Sequence, residues 1–252
     1  MKISACLDTL FRQKPVLQSV KLCHKLGLDG FEFWRWDDSA IDQALIAKEE
    51  TGLPVSAFCT LFTSLVDSKE HAAYLDGLEK SIVAAHRLNC KRLITQVGMV
   101  VPGLPRIQMR QNMVDGLGKC IPALSKADVT LLIEPLNPVD PPGAKYFLSH
   151  SDEAFSIVEE LNSPHVKVLF DIYHQQVTEG RLYQNIFNNL DKIGHFHAAA
   201  NPGRSEPHQG EINYAFIVKE LESQGYNGYC GLEYFPTESV ESGLKSFLDL
   251  VR

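Results

Sequence analysis

Four polar residues close short apolar runs in the second half of the chain. Glu134 follows Thr130-Leu131-Leu132-Ile133, Asp171 follows Val166-Lys167-Val168-Leu169-Phe170, His197 follows Ile193-Gly194-His195-Phe196, and Glu233 follows Tyr229-Cys230-Gly231-Leu232. One such residue is ordinarily a cap or a salt-bridge member, but four in succession form a constellation. Their spacings are 37, 26 and 36 residues. Three carboxylates gathered in a low-dielectric cleft repel one another, and a divalent cation relieves that repulsion. Three oxygen donors and one imidazole suit Mg²⁺ or Mn²⁺ and admit Co²⁺. The absence of Cys from the set argues against structural zinc. A cation held this way suits the shift of a carbonyl between adjacent carbons, since it can stabilise an enediolate while two carboxylates carry the proton. Glu134 and Glu233 are the candidate proton carriers. Arg204 can grip a substrate carboxylate with two parallel hydrogen bonds. His174, three residues after Asp171, is placed to hydrogen-bond a substrate oxygen, and Glu206 to hold Arg204 or His174 in place. His195 shares a strand face with His197 and reads as core packing.

These residues need a scaffold that aligns strand ends. Apolar runs at 3–7, 30–34, 55–59, 92–97, 130–135, 166–171, 193–198 and 229–234 read as strands. Stretches of helical period lie between them: 16–26, 41–50, a stretch capped by Ser68 with Leu75, Leu78, Ile82 and Ala85 on one face, 107–127, 151–161, 182–190, 213–224 and a last one from Val240. Strands alternating with helices imply a parallel sheet with right-handed crossovers. Eight units of about 31 residues predict an α/β fold, a single (β/α)8 TIM barrel over residues 1–252. An open doubly wound sheet is weaker, because no GxGxxG follows the first strand. Consecutive strands lie side by side, so the four strand ends can converge, with Glu134 and Glu233 across the barrel from each other. The segment 138–143, rich in proline, reads as an active-site loop. Trp34, Trp36 and Phe62 would wall the pocket or form a subunit contact.

Composition narrows the partners. The net charge of −7 argues against a nucleic-acid or anionic-membrane surface. No apolar run approaches the roughly 18 residues of a membrane span. The start reaches Asp8 too soon for a signal peptide. Six scattered cysteines without a CxxC pair fit a reducing cytoplasm and small core residues. A small-molecule substrate is expected, and the oligomeric state is left open.

Several segments together resemble the hydroxypyruvate isomerase family of xylose-isomerase-like barrels, which includes the 2-oxo-tetronate isomerases. They are Ile133-Glu134-Pro135-Leu136-Asn137, Asp171-Ile172-Tyr173-His174, the run 202–214 (PGRSEPHQGEINY) and Gly231-Leu232-Glu233-Tyr234. The resemblance implies aldose–ketose-type isomerisation of a small hydroxy-oxo acid. It implies metal ligands at Glu134, Asp171, His197 and Glu233, with Glu134 and Glu233 transferring protons. Position 197 departs from the family: the close members carry Gln there, and the epimerase branch carries His. Lys145 and His208 also differ, and both would touch substrate. A sugar epimerase or oxo-sugar dehydratase on the same barrel is the alternative. The dehydratase requires an acid aimed at a leaving hydroxyl, and no residue declares that role. A nuclease of the endonuclease IV branch is opposed by the negative charge and by a single His among the ligands.

Overall fold

The computed structural model describes residues 1–12 and 14–252. Eight parallel strands follow one another in chain order around a closed barrel, as the eightfold alternation predicts. Strand β1 (Lys2–Cys6) leads through α1 (Leu7–Leu10) and α2 (Val16–Leu26) to β2 (Gly30–Phe33). Then come α3 (Asp38–Thr51), β3 (Val55–Cys59), α4 (His71–Leu88), β4 (Arg92–Thr95), α5 (Arg106–Ala127) and β5 (Thr130–Ile133). The chain continues through α6 (Ser151–Leu161), β6 (Val166–Asp171), α7 (Ile172–Thr178), α8 (Leu182–Phe187) and β7 (Ile193–Ala198). It ends with α9 (Tyr214–Ser223), β8 (Tyr229–Leu232) and α10 (Val240–Val251).

The chain divides into two compact units: Met1–Phe58 with His195–Arg252, and Cys59–Gly194. In the first, β1 pairs with β2 and β8, and β8 pairs with β7 in a register that sets His197 opposite Gly231. Helix α3 starts where the Asp37 carboxylate accepts the Ala40 N–H, satisfying a donor the helix itself cannot pair. It stops at Gly52, whose φ of 76° ends the right-handed turn at little steric cost. In the second, β5 pairs with β4 and β6. Helix α4 is entered through a 3-10 turn at Ser68–Glu70, and the side chain that accepts there is Asp67, not Ser68. Its buried face is built on Tyr74, Leu78, Ile82 and Ala85, one residue off the expected stripe at its start.

The strands are buried over almost their whole length, which is why they read as continuous apolar runs. All six cysteines are buried and none is in a disulfide. No helix among the described residues is long and apolar enough to cross a membrane.

Candidate active site

In the first unit the polar side chains gather around Glu233, just past the end of β8. Its Oε1 accepts the Trp34 indole N–H at 2.6 Å, and its Oε2 accepts from the Arg204 guanidinium. The Nδ1 of His197 lies 3.4 Å from Glu233 Oε1. Arg204 takes a left-handed conformation, φ 51°, and its guanidinium stands 5.7 Å from the Phe235 ring. Deeper along the same strands, Glu32 of β2 sits between His195 and His197. Its Oε2 accepts from His195 Nε2 at 2.9 Å, Ser56 Oγ at 3.0 Å and Ser4 Oγ at 3.2 Å. Its Oε1 is 3.0 Å from His197 Nε2. Burial would raise the Glu32 carboxyl, but the two imidazoles outweigh it and hold it well below the ordinary range.

The second unit gathers Glu134, Asp171 and His174. Each offers one ligand atom, and these lie within 4.8 Å of one another. Asp171 ends β6 and caps α7, its Oδ1 accepting the His174 N–H at 3.0 Å. Its Oδ2 is buried and makes no hydrogen bond among the described residues, and His174 Nε2 lies 3.6 Å from it. His174 is fixed by Asn137. The Asn137 side-chain oxygen accepts the N–H groups of Val139 and Asp140 at 2.9 and 2.8 Å, so its amide nitrogen must face the other way. That nitrogen and the Asn137 backbone nitrogen approach His174 Nδ1 at 2.6 and 3.2 Å. Nδ1 is therefore the acceptor, and Nε2 carries the proton.

Several expected placements need correction. Glu206 holds neither Arg204 nor His174. Its Oε1 accepts the N–H groups of Thr237 and Glu238 at 2.8 and 3.1 Å, and its Oε2 accepts the Thr237 hydroxyl at 2.7 Å. Both carboxylate oxygens thus anchor the loop after β8. The close nitrogen neighbour of Glu134 and Asp171 is His174. His197 groups with Glu32 and His195 and turns its other nitrogen toward Glu233. His195 is buried as expected, but it binds Glu32 rather than packing as an apolar stand-in. His208 lies 3.5 Å from Glu238, and Lys145 is exposed. Trp34 bonds Glu233, Trp36 packs edge-on against Phe58, and Phe62 lines a cavity of about 430 Å³ with Ser64, Gln96 and Tyr146.

Glu32 and Asn137 are not among the expected site residues. A charge in the apolar strand Gly30-Phe31-Glu32-Phe33 is a usable signal for the first. The second closes the segment Ile133-Glu134-Pro135-Leu136-Asn137 that carries the resemblance, but its residue type alone points to no role.

The profile of the xylose isomerase-like TIM barrel family matches residues 20–250. The chain belongs to that family. Hydroxypyruvate isomerase of Escherichia coli is 32% identical to this barrel over 254 residues, covering 97% of each chain. A 2-oxo-tetronate isomerase of Pectobacterium atrosepticum is 28% identical, covering 96% of this chain and 95% of its own. A crystal structure described as AP endonuclease, family 2, from Brucella melitensis matches with a TM-score of 0.91 at 30% identity, over 99% of both chains. With isomerases aligned end to end, this xylose isomerase-like barrel is an enzyme of the isomerase kind.

Proposed function

We propose that this chain, acting as one barrel domain, is a divalent-metal-dependent isomerase of a small hydroxy-oxo acid. Its substrates are of the hydroxypyruvate/tartronate semialdehyde or 2-oxo-tetronate type, as the names of its relatives suggest. One observation carries the metal reading. Asp171 Oδ2 is buried without a hydrogen bond, and a Glu134 oxygen lies within 4.8 Å of an Asp171 oxygen. Two buried carboxylates that close repel when both are ionised, and a cation between them relieves that repulsion. We assign the ligands as Glu134, Asp171, His197 and Glu233, with Mg²⁺ or Mn²⁺ as the ion. His174 is the other nitrogen candidate. Its Nε2 bears a proton while Asn137 occupies Nδ1, so it serves better as a donor to substrate.

A cation held by these residues would supply Lewis acidity to the substrate. Glu134 and Glu233 do the carbon proton work: one removes a proton from the hydroxyl-bearing carbon, the other delivers one to its neighbour, and the hydroxyl proton passes to the neighbouring oxygen as the carbonyl moves. His174 donates its Nε2–H to a substrate oxygen. Arg204 bonds Glu233 through one nitrogen and has further N–H groups to grip the substrate carboxylate. Trp34 and Arg204 together keep Glu233 from swinging away. A net charge of −7 disfavours the DNA substrate that an endonuclease name would imply.

The test incubates metal-free protein and protein loaded with Mn²⁺ or Mg²⁺ with hydroxypyruvate, a 2-oxo-tetronate and free ketoses, and follows products by NMR. Metal-dependent isomerisation of one of the acids is expected. Turnover of free ketoses alone would replace this reading with a sugar epimerase, and equal turnover without metal would remove the cation.

A further inference from the structure

Glu32 is buried among β1, β2, β3 and β7 side chains, is 1% exposed, and touches no residue assigned to the proton transfer. An unshared carboxylate this deep is costly, so its partners state its purpose. Three donors converge on Oε2: His195 Nε2, Ser56 Oγ and Ser4 Oγ. Oε1 faces His197 Nε2 at 3.0 Å. Room for it is made across the barrel wall, since a Cβ on Gly231 would sit 1.8 Å from Oε1. The register that pairs His197 with Gly231 therefore fixes where the carboxylate meets the ring.

We propose that Glu32 is the positioning residue for His197. It accepts a hydrogen bond from Nε2–H and so holds the tautomer whose Nδ1 bears a lone pair beside Glu233. This rests on the proposed cation site. A carboxylate behind a ligating imidazole fixes ring and tautomer and raises ligand basicity. His195 takes the second oxygen and keeps the carboxylate from rotating toward one ring only. The buried Glu-His-His group is thus the support beneath the site rather than a second site.

The experiment follows from how an amide differs from a carboxylate. In Glu32→Gln one end still accepts, but the other end donates. The oxygen stays where three donors crowd, which turns the –NH2 toward His197. Nε2 must then accept, and the His197 proton moves to Nδ1, where it blocks the metal. Long-range ¹⁵N–¹H spectra of metal-free, histidine-labelled protein read the tautomers, with His197→Gln assigning the signals. Wild type is expected to show His197 protonated on Nε2, and Glu32→Gln to show it on Nδ1. Titration with Mn²⁺ alone should show affinity falling about 10–100-fold in Glu32→Gln. The further loss on adding Glu32→Gln to His197→Gln should be smaller, because a glutamine at 197 can present either end. A general loss of stability would move none of the tautomers. A wild-type His197 protonated on Nδ1, or a Glu32→Gln protein with unchanged tautomer and Mn²⁺ affinity, overturns the inference while leaving the cation reading intact. Wild type that binds no Mn²⁺ fails both.

Discussion

Glu233 is restrained at both oxygens, by Trp34 Nε1 and by Arg204. That restraint makes the residue-scale predictions specific. Glu134→Gln and Glu233→Gln each keep one oxygen ligand but lose the basic carboxylate. Turnover should fall at least about 10²-fold while some Mn²⁺ binding remains. Turnover, metal content and deuterium uptake from D₂O separate the roles. Near-normal turnover in a metal-loaded variant would leave that residue a ligand only. Arg204→Ala should raise KM for an acid substrate and also lower kcat, since Glu233 loses a partner. Arg204→Lys should recover only part of this, because a point charge does not copy the planar fork. An unchanged KM in the alanine variant rejects the role. The strand-end residues were legible because each interrupts an apolar run at a repeated interval. Glu32 also interrupts an apolar strand, but its role was not legible, because its partner His195 lies 163 positions away. Glu206 carried a misleading neighbour: it sits two residues from Arg204 but spends its oxygens on a loop about 30 positions on.

At the scale of elements, hydrophobic period located all eight strands, and most of the errors fall at their C-terminal ends. There the apolar run continues past the last residue of the ladder, as at Trp34, Val97 and Tyr234. Helix α7 was invisible for a related reason. It has only seven residues, too few for a period, and its cap is Asp171, which the sequence had already assigned to a strand end. That double duty can be tested. Asp171→Asn keeps a good capping side chain, so α7 and the global stability should change by no more than about 1 kcal/mol. The lost charge should nevertheless weaken Mn²⁺ binding by at least an order of magnitude. Denaturant melts and Mn²⁺ titration of the same variant decide it. A variant that binds Mn²⁺ like wild type would take Asp171 out of the ligand set and leave it a cap.

For the molecule as a whole, eight repeated units fixed the barrel order, but repetition says nothing about what holds the loops at its rim. Glu206 does that for the loop after β8, and it ties global stability to pH. Burial alone would raise its carboxyl, yet the Thr237 hydroxyl and the N–H groups of Thr237 and Glu238 leave it below the ordinary value of 4.5. The folded chain therefore binds this proton more weakly than the unfolded chain. Its contribution is complete above the ordinary carboxylate range and is lost as pH falls from about 4.5 through the depressed folded value. Stability measured by denaturant should accordingly decline as the medium is made acidic across that window. Glu206→Gln removes the titrating group and turns one end of the side chain into a donor facing other donors. The variant should be less stable at neutral pH and should lose less on acidification than wild type. If both proteins lose the same stability between neutral pH and pH 3.5, Glu206 is not the group that couples the β8 loop to acid.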